Sequence, residues 1–391
     1  MSVPKTKSRS QPRHDHVARL VDRHFDVNES ELIIGGVLVS ELVAKFGTPL
    51  FIYDESVIVK RIQKVKAFLP PKFELYYSIK ANPNAAILKL FLQHGCGLEI
   101  ASGGELFQAL DAGCPPQRLI FAGPGKSKPE LAAALKASIN EIHVESIDEA
   151  RWLDELAKST GQIANIGLRI NPVSGSGGAM RMGGQASPFG IDEESLEQVL
   201  DEILTLSNVK IAGVHLFMGT QILDADVLLG QYQRALTIAR SVAARLPHPL
   251  ETIDFGGGLG TPYFAHESEL DLEKAAAGIA LIADEMSNDP LLTNATGVLE
   301  PGRFLVNESG LYVATISRIK QSRGKTFAVI DGGMHHHLGA SGNLGQTIKR
   351  NYPVAILNKL DVPATEQVEI VGPLCTPLDT LARRIKLPPI E

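Results

Sequence analysis

The chain has 391 residues, of which 44% are apolar and 21% charged, with a formal net charge of −6 and an isoelectric point near 6.0. Its length exceeds one typical domain of about 100–200 residues, so two domains are expected, and its apolar content excludes a largely disordered chain. The acidic balance offers no broad basic field, which points away from nucleic acid and towards a small-molecule partner.

The opening "MSVPKTKSRSQPRHDH" is basic but has no apolar run behind it, so residues 1–16 read as a disordered tail and not as a secretion signal. No later run approaches the roughly 18–20 apolar residues a bilayer span requires. Cys96, Cys114 and Cys375 are too few and too scattered for a disulfide framework or a metal knuckle, which suits a reducing cytoplasm. Residues 17–47 hold short apolar segments broken by Gly35-Gly36 and Gly47, the pattern of turns between strands and a short helix.

From 48 to 305 the rhythm changes. The runs "FELYYSI", "GCGLEIA", "RLIFAG", "EIHVES", "NIGLRIN", "IAGVHLF", "TIDFGGG" and "GVLEPG" alternate with stretches of helical period such as "GGELFQALDAG" and "SLEQVLDEILTL". Eight strands with intervening helices over about 250 residues predict a closed (β/α)8 TIM barrel ahead of an open doubly wound sheet. Strands dominate from 306 to 391, so that segment and residues 17–47 are expected to form a second, β-rich domain.

Barrel active sites lie where strands end and the following loops begin. Three such ends carry chemistry. Lys80 closes "LYYSIK"; a lysine held in a dry strand end loses its ammonium form and becomes a nucleophile for an aldehyde, although a solvated rim amine would look the same. Gly256, Gly257 and Gly258 in "DFGGGLG" let backbone N–H groups approach an anion, and a tight strand-to-helix turn also accounts for them. "EPGRFLV" places Glu300 and Arg303 just beyond the last strand, as an ion pair or as cofactor contacts.

Together these segments resemble the fold-type III pyridoxal-phosphate enzymes of the ornithine/diaminopimelate decarboxylase group. "YYSIKAN" is similar to the cofactor-lysine motif, "EIASGGEL" to the segment after the next strand, "GVHLFMGTQ" to HxHIGSQ, "DFGGGLG" to the phosphate loop, "EPGR" to the ring-nitrogen motif and "GPLCTPLD" to a cysteine motif donated by a partner subunit. The resemblance implies a PLP-dependent α-decarboxylase with an alanine-racemase-like C-terminal β domain, working as a homodimer with shared active sites. Lys80 would hold pyridoxal 5'-phosphate as an internal aldimine. Glu300 would keep the pyridine nitrogen protonated, so that the ring takes up the carbanion as a quinonoid. Thr220, Gly256, Gly257, Gly258 and Arg303 would bind the phosphate. Cys375 would return a proton to the carbanion carbon, and Thr376 and Asp379 would lie near the substrate.

The pattern also departs from the group. Phe217 stands where a second histidine stacks on the cofactor ring, which keeps an aromatic face without a titratable group. His215 matches the first histidine, with a packed, hydrogen-bonded role expected. Thr376 replaces the glutamate that reads diaminopimelate's distal ammonium, and Gly339 lies near the arginine that reads its carboxylate, so diaminopimelate is a poor substrate guess. His335, His336 and His337 suggest metal ligands, but in a strand consecutive residues alternate faces, so no metal is expected. "HHHLGASGNLGQ" resembles the exosortase-associated and carrier-protein-linked glutamyl decarboxylase branch, in which a substrate tethered by its distal carboxyl needs no arginine there. The group's pattern continues with a phosphate-touching tyrosine on a strand beyond "LPPIE". Two alternatives stand beside this reading: an amino-acid racemase on the same barrel, which usually sets arginine against the ring nitrogen where this chain has Glu300, and a non-catalytic homologue binding a protein partner, which would be expected to lose the lysine, the glycine loop or the cysteine.

Overall fold

The structure, a computed structural model, describes residues 16–173, 180–181, 186–344, 346 and 348–390. Residues 1–15 of the expected tail lie outside the described residues, and His16 begins a helix, His16–His24, instead of ending the tail. The chain divides into two compact units: residues 58–262 with 268–307, and residues 1–57 with 263–267 and 308–391.

The larger unit is a closed barrel of eight parallel strands, and each run named above supplies one. They are β1 (Phe73–Ser78), β2 (Gly97–Ile100), β3 (Leu119–Phe121), β4 (Glu141–Val144), β5 (Ala164–Asn171), β6 (Val209–His215), β7 (Thr252–Asp254) and β8 (Thr296–Leu299). Each pairs with the next, and β8 returns to β1 with Leu299 opposite Leu75, which closes the ring, while the two-residue strand Ile191–Asp192 adds onto the end of β5. The helices α1 (Ala85–Gln93), α2 (Gly103–Asp111), α3 (Lys128–Ala137), α4 (Ile147–Thr160), α5 (Leu196–Ile203), α6 (Ala225–Ala243) and α7 (Leu272–Asn288) complete the alternation.

Short polar residues set the helix starts directly after strand ends. Ser102 accepts the Glu105 N–H, Ser146 the Glu149 N–H, and Asp224 those of Asp226 and Val227, each satisfying donors that a helix N-terminus leaves free. Apolar faces of strands and helices meet in one continuous core, in which Tyr77 stacks on Phe91 with ring centroids 3.8 Å apart.

The smaller unit is β-rich. Strand Leu50–Tyr53 pairs antiparallel with Gly310–Val313, and a four-stranded sheet runs in the order Ile316–Ser322, Lys325–Ile330, Glu366–Val371, Thr380–Leu387. Its core contains Ala328, Ile330, Val368, Ile370 and Ala382. The pairing of Leu50–Tyr53 with a strand some 260 residues later takes residues 48–57 into this unit, whereas the sequence rhythm grouped them with the barrel. Among the described residues no helix is long and apolar enough to cross a membrane.

Candidate active site

Beyond β1 the chain makes one 3-10 turn, Ile79–Ala81, and stops, because Asn82 precedes Pro83 and is biased away from helix. The Tyr77 hydroxyl donates to the Asn82 carbonyl at 3.1 Å and fixes the turn that carries Lys80. Lys80 Nζ lies 2.8 Å from Glu99 Oε2, at the end of β2, and the same oxygen accepts the Ser78 hydroxyl. The structure corrects one expectation here. The Lys80 side chain is 54% exposed, and although desolvation pulls its pKa down, the carboxylates of Glu99 and Glu300 outweigh it and raise the pKa above the usual lysine value. In the cofactor-free chain this amine is an ammonium paired with Glu99.

Beyond β7, the Asp254 carboxylate accepts the Gly256 N–H at 2.8 Å and turns the chain into the glycine run. Gly256 and Gly258 have φ of +70° and +76°, a region that penalises a β-carbon. At Gly257 the reason is proximity: a β-carbon there would sit 2.9 Å from the Glu300 carbonyl oxygen and 3.1 Å from Pro301 Cα. Among the described residues the Gly257 and Gly258 N–H groups have no hydrogen-bond partner. Phe217 packs beside this loop, so close that a β-carbon on Gly256 would lie 2.6 Å from its ring. The segment Thr220–Ile222 closes the other side through Ile222 N–H to Gly258 O at 2.9 Å.

Glu300 follows β8, its N–H donating to Gly256 O at 3.1 Å. The side chain is buried and Oε1 is 3.4 Å from His215 Nε2; among the described residues Oε2 has no hydrogen-bond partner, nor does either ring nitrogen of His215, which is packed as expected but not hydrogen-bonded. Gly302 lies against the Ser78 carbonyl and Ala81, which sets the Glu300 loop beside the turn that carries Lys80. Arg303 opens the short helix Arg303–Val306 and is exposed. One rim of the barrel therefore gathers Lys80, Phe217, Thr220, Gly256, Gly257, Gly258, Glu300 and Arg303.

Cys375, Thr376 and Asp379 belong to the β-rich unit. Cys375 is an exposed free thiol on a turn with exposed Leu374 and Leu378 beside it. Asp379, expected near substrate, is buried instead, and its two oxygens accept the Met334 N–H at 2.6 Å and the Leu374 N–H at 2.9 Å. It organises the cysteine turn. Thr376 accepts the Leu378 N–H within that turn at 3.3 Å. His335–His337 form a turn and not a strand, so the alternation argument does not apply to them. His335 and His336 lie ring to ring at 4.0 Å, while His337 turns to Phe51 and Tyr312.

Two buried polar layers in the barrel went unnoticed in the sequence. His143 Nε2 lies 2.9 Å from Glu141 Oε1, Glu141 accepts the Thr252 hydroxyl, and the His143 and His215 rings are 4.5 Å apart. Gly213 makes the room: a β-carbon there would lie 2.6 Å from Glu141 Oε1. Donor atoms of His143, His215 and Asp254 fall within 4.8 Å of one another. Burial drives His215 well below its ordinary pKa, and burial with the neighbouring Glu300 drives Asp254 well above its own. In the second layer Glu145 binds Arg169 at 2.7 Å, the Gly123 N–H at 2.9 Å and the Gly190 N–H at 2.8 Å, tying together the loops after β3, β4 and β5.

This arrangement fits a phosphorylated, protonated-pyridine aldehyde. A buried carboxylate oxygen awaits a donor, a cradle that any β-carbon would fill offers N–H groups unpartnered among the described residues, and a lysine stands at the end of the strand next to β8. Fold and site define a pyridoxal-phosphate-dependent barrel enzyme. Residues 55–307 match the family described as "Pyridoxal-dependent decarboxylase, pyridoxal binding domain", and the chain belongs to that family. It is 36% identical over 354 residues to an L-glutamyl-[BtrI acyl-carrier protein] decarboxylase of Niallia circulans, covering 90% of this chain and 82% of the relative. It is 32% identical to a diaminopimelate decarboxylase of Aquifex aeolicus, covering 92% and 82%. The solved diaminopimelate decarboxylase of M. jannaschii superposes with a TM-score of 0.84 at 28% identity, covering 95% of this chain and 86% of that one. The protein is an amino-acid decarboxylase that uses pyridoxal phosphate.

Proposed function

We propose that this enzyme removes the α-carboxyl of a glutamyl-type group carried as a thioester on an acyl carrier protein. The observation that carries this reading is the loss of both distal-group readers, with Thr376 where a glutamate would bind an ammonium and Gly339 near the position of an arginine that would bind a carboxylate. A free diamino acid has nothing there to hold its far end, whereas a tethered acyl group is held by its carrier. The likeness to a relative named for a carrier-bound glutamyl substrate supports it.

Bound pyridoxal phosphate supplies an electron sink for the pair left when carbon dioxide departs. Lys80 would hold the cofactor through its aldehyde, with water leaving, and Glu99, which pairs with the amine, would take up the proton the ammonium gives up. Glu300 would accept the N–H of a protonated ring nitrogen through its unpartnered Oε2, with the buried His215 ring packed beside it. The Gly257 and Gly258 N–H groups, the Thr220 hydroxyl and Arg303 would hold the phosphate, and Phe217 would supply an apolar aromatic wall beside it. Cys375 is the proton donor to the α-carbon, reaching the site of a partner subunit in a homodimer. Its exposed turn, flanked by Leu374 and Leu378, suits burial against a second copy.

The deciding experiment compares carbon dioxide release from carrier-bound glutamate, free glutamate and free diaminopimelate. Turnover of the carrier-bound substrate alone is expected, and turnover of diaminopimelate alone would sink the proposal.

A further inference from the structure

The β-rich unit contains a cleft of about 240 Å³ between the segment around Ser341, the run Lys349–Asn351 and the start of the edge strand Thr380–Leu387. Asn351 pins the two sides together: its Nδ2 donates to Arg383 O at 2.6 Å, and its Oδ1 accepts the Arg383 N–H at 2.9 Å, as a strand partner would. Lys349, Arg350 and Arg383 line the cleft with the hydroxyls of Ser341 and Thr380, and among the described residues no carboxylate lines it.

The cations are braced without being neutralised. Arg350 donates to His266 Nε2 at 2.9 Å and lies 5.4 Å over the Phe264 ring, which itself stacks on Tyr352. Lys349 donates to the Asn343 side-chain oxygen. Among the described residues none of the three is ion-paired with a carboxylate. On a chain of net charge −6, three such cations around one cleft mark the place where an anion is attracted and not repelled. The cleft begins at Ala340, one residue after the Gly339 that stands near the lost distal-carboxylate reader.

We infer that this cleft seats the phosphodiester of the carrier protein's phosphopantetheine arm. The inference rests on the tethered-substrate reading above and names where the tether is held. Guanidinium groups pair with phosphate oxygens through parallel N–H donors, and the hydroxyls complete the set. Such contacts raise affinity for the tethered substrate and steer its approach without entering the chemistry.

The test uses the pyridoxal-phosphate-loaded enzyme with three glutamyl thioesters: carrier-bound, on phosphopantetheine, and on pantetheine without phosphate. For the native enzyme kcat/KM should be at least tenfold higher on phosphopantetheine than on pantetheine. In Lys349→Glu/Arg383→Glu that ratio should collapse towards one, and the affinity for unacylated carrier, read by fluorescence anisotropy, should fall tenfold or more. Because each enzyme is compared with itself, general damage cancels, and Lys349→Ala/Arg350→Ala supplies a milder second variant. Equal use of the two small thioesters by the native enzyme, or undiminished carrier binding by both variants, would overturn the cleft assignment while leaving tethered turnover standing. A native enzyme that turns over no thioester overturns the tethered reading and the cleft with it.

Discussion

His215 Nε2 lies 3.4 Å from Glu300 Oε1, both side chains are buried, and among the described residues neither the His215 ring nitrogens nor Glu300 Oε2 has a hydrogen-bond partner. A buried acceptor left open is costly unless a ligand completes it, so this unpartnered carboxylate oxygen points to a ligand that donates a hydrogen bond to it. Burial pushes the His215 pKa well below its ordinary value, so a neutral ring packs beside Glu300.

Glu300→Gln keeps the shape and removes the charge. The variant should still bind and colour with pyridoxal phosphate, while kcat for carbon dioxide release falls about 100-fold or more, as expected when a positioned proton is lost from the reacting system. A near-native kcat would remove Glu300 from its role at the ring nitrogen.

Glu99 sets the condition of Lys80. The free amine attacks the aldehyde, and Glu99 with Glu300 holds the group as ammonium, with its pKa raised. Capture of the cofactor by the apoenzyme should therefore be slow at neutral pH and speed up as pH rises towards the lysine pKa. In Glu99→Gln the rise should move to lower pH. Stopped-flow absorbance across a pH series reads both, and an unmoved profile would show that Glu99 does not govern the amine.

At Gly257 a β-carbon would press on the backbone of the Glu300 loop, 2.9 Å from its carbonyl oxygen, and neither partner is a flexible side-chain end. Gly257→Ala should therefore weaken cofactor affinity at least tenfold and cost about 1–3 kcal/mol of stability, typical of forced overpacking. Equilibrium dialysis and thermal melts separate the two effects.

Much of the barrel was legible because a parallel strand buried on both faces is a continuous apolar run, and eight such runs alternate with helical periods. Lys80, Glu300 and the three glycines were legible because they interrupt that pattern at strand ends. The buried layers were harder to see. In "EIHVES", Glu141, His143 and Glu145 occupy every second position with Ile142 and Val144 between them, a period-two signal of one polar face inside the barrel. Gly213, within β6, marks the space that Glu141 fills. Asp379 read as a ligand because a carboxylate in a motif says nothing of the backbone donors that surround it. The unit boundary was out of reach because Leu50–Tyr53 finds its partner strand only through tertiary pairing.

That buried aspartate carries its own prediction. Asp379→Ala leaves the Met334 and Leu374 N–H groups without their acceptor and should cost about 1–3 kcal/mol, lowering the melting temperature by several degrees. Activity should fall with it, since the same turn presents Cys375. A native melting temperature would show that the carboxylate is dispensable to the turn.

If Cys375 serves the site of a second copy, each site needs Lys80 from one chain and Cys375 from the other. Lys80→Ala and Cys375→Ala homodimers should then both be nearly inactive. Mixing them under conditions that exchange subunits creates heterodimers in which both mutations fall in one site and the other is intact. Random pairing makes half the dimers mixed, so activity should recover to about one quarter of native. Size-exclusion chromatography with light scattering establishes the dimer, and the carbon dioxide assay reads the recovery. If Cys375 acted in its own chain's site, no mixture of the two variants would regain activity.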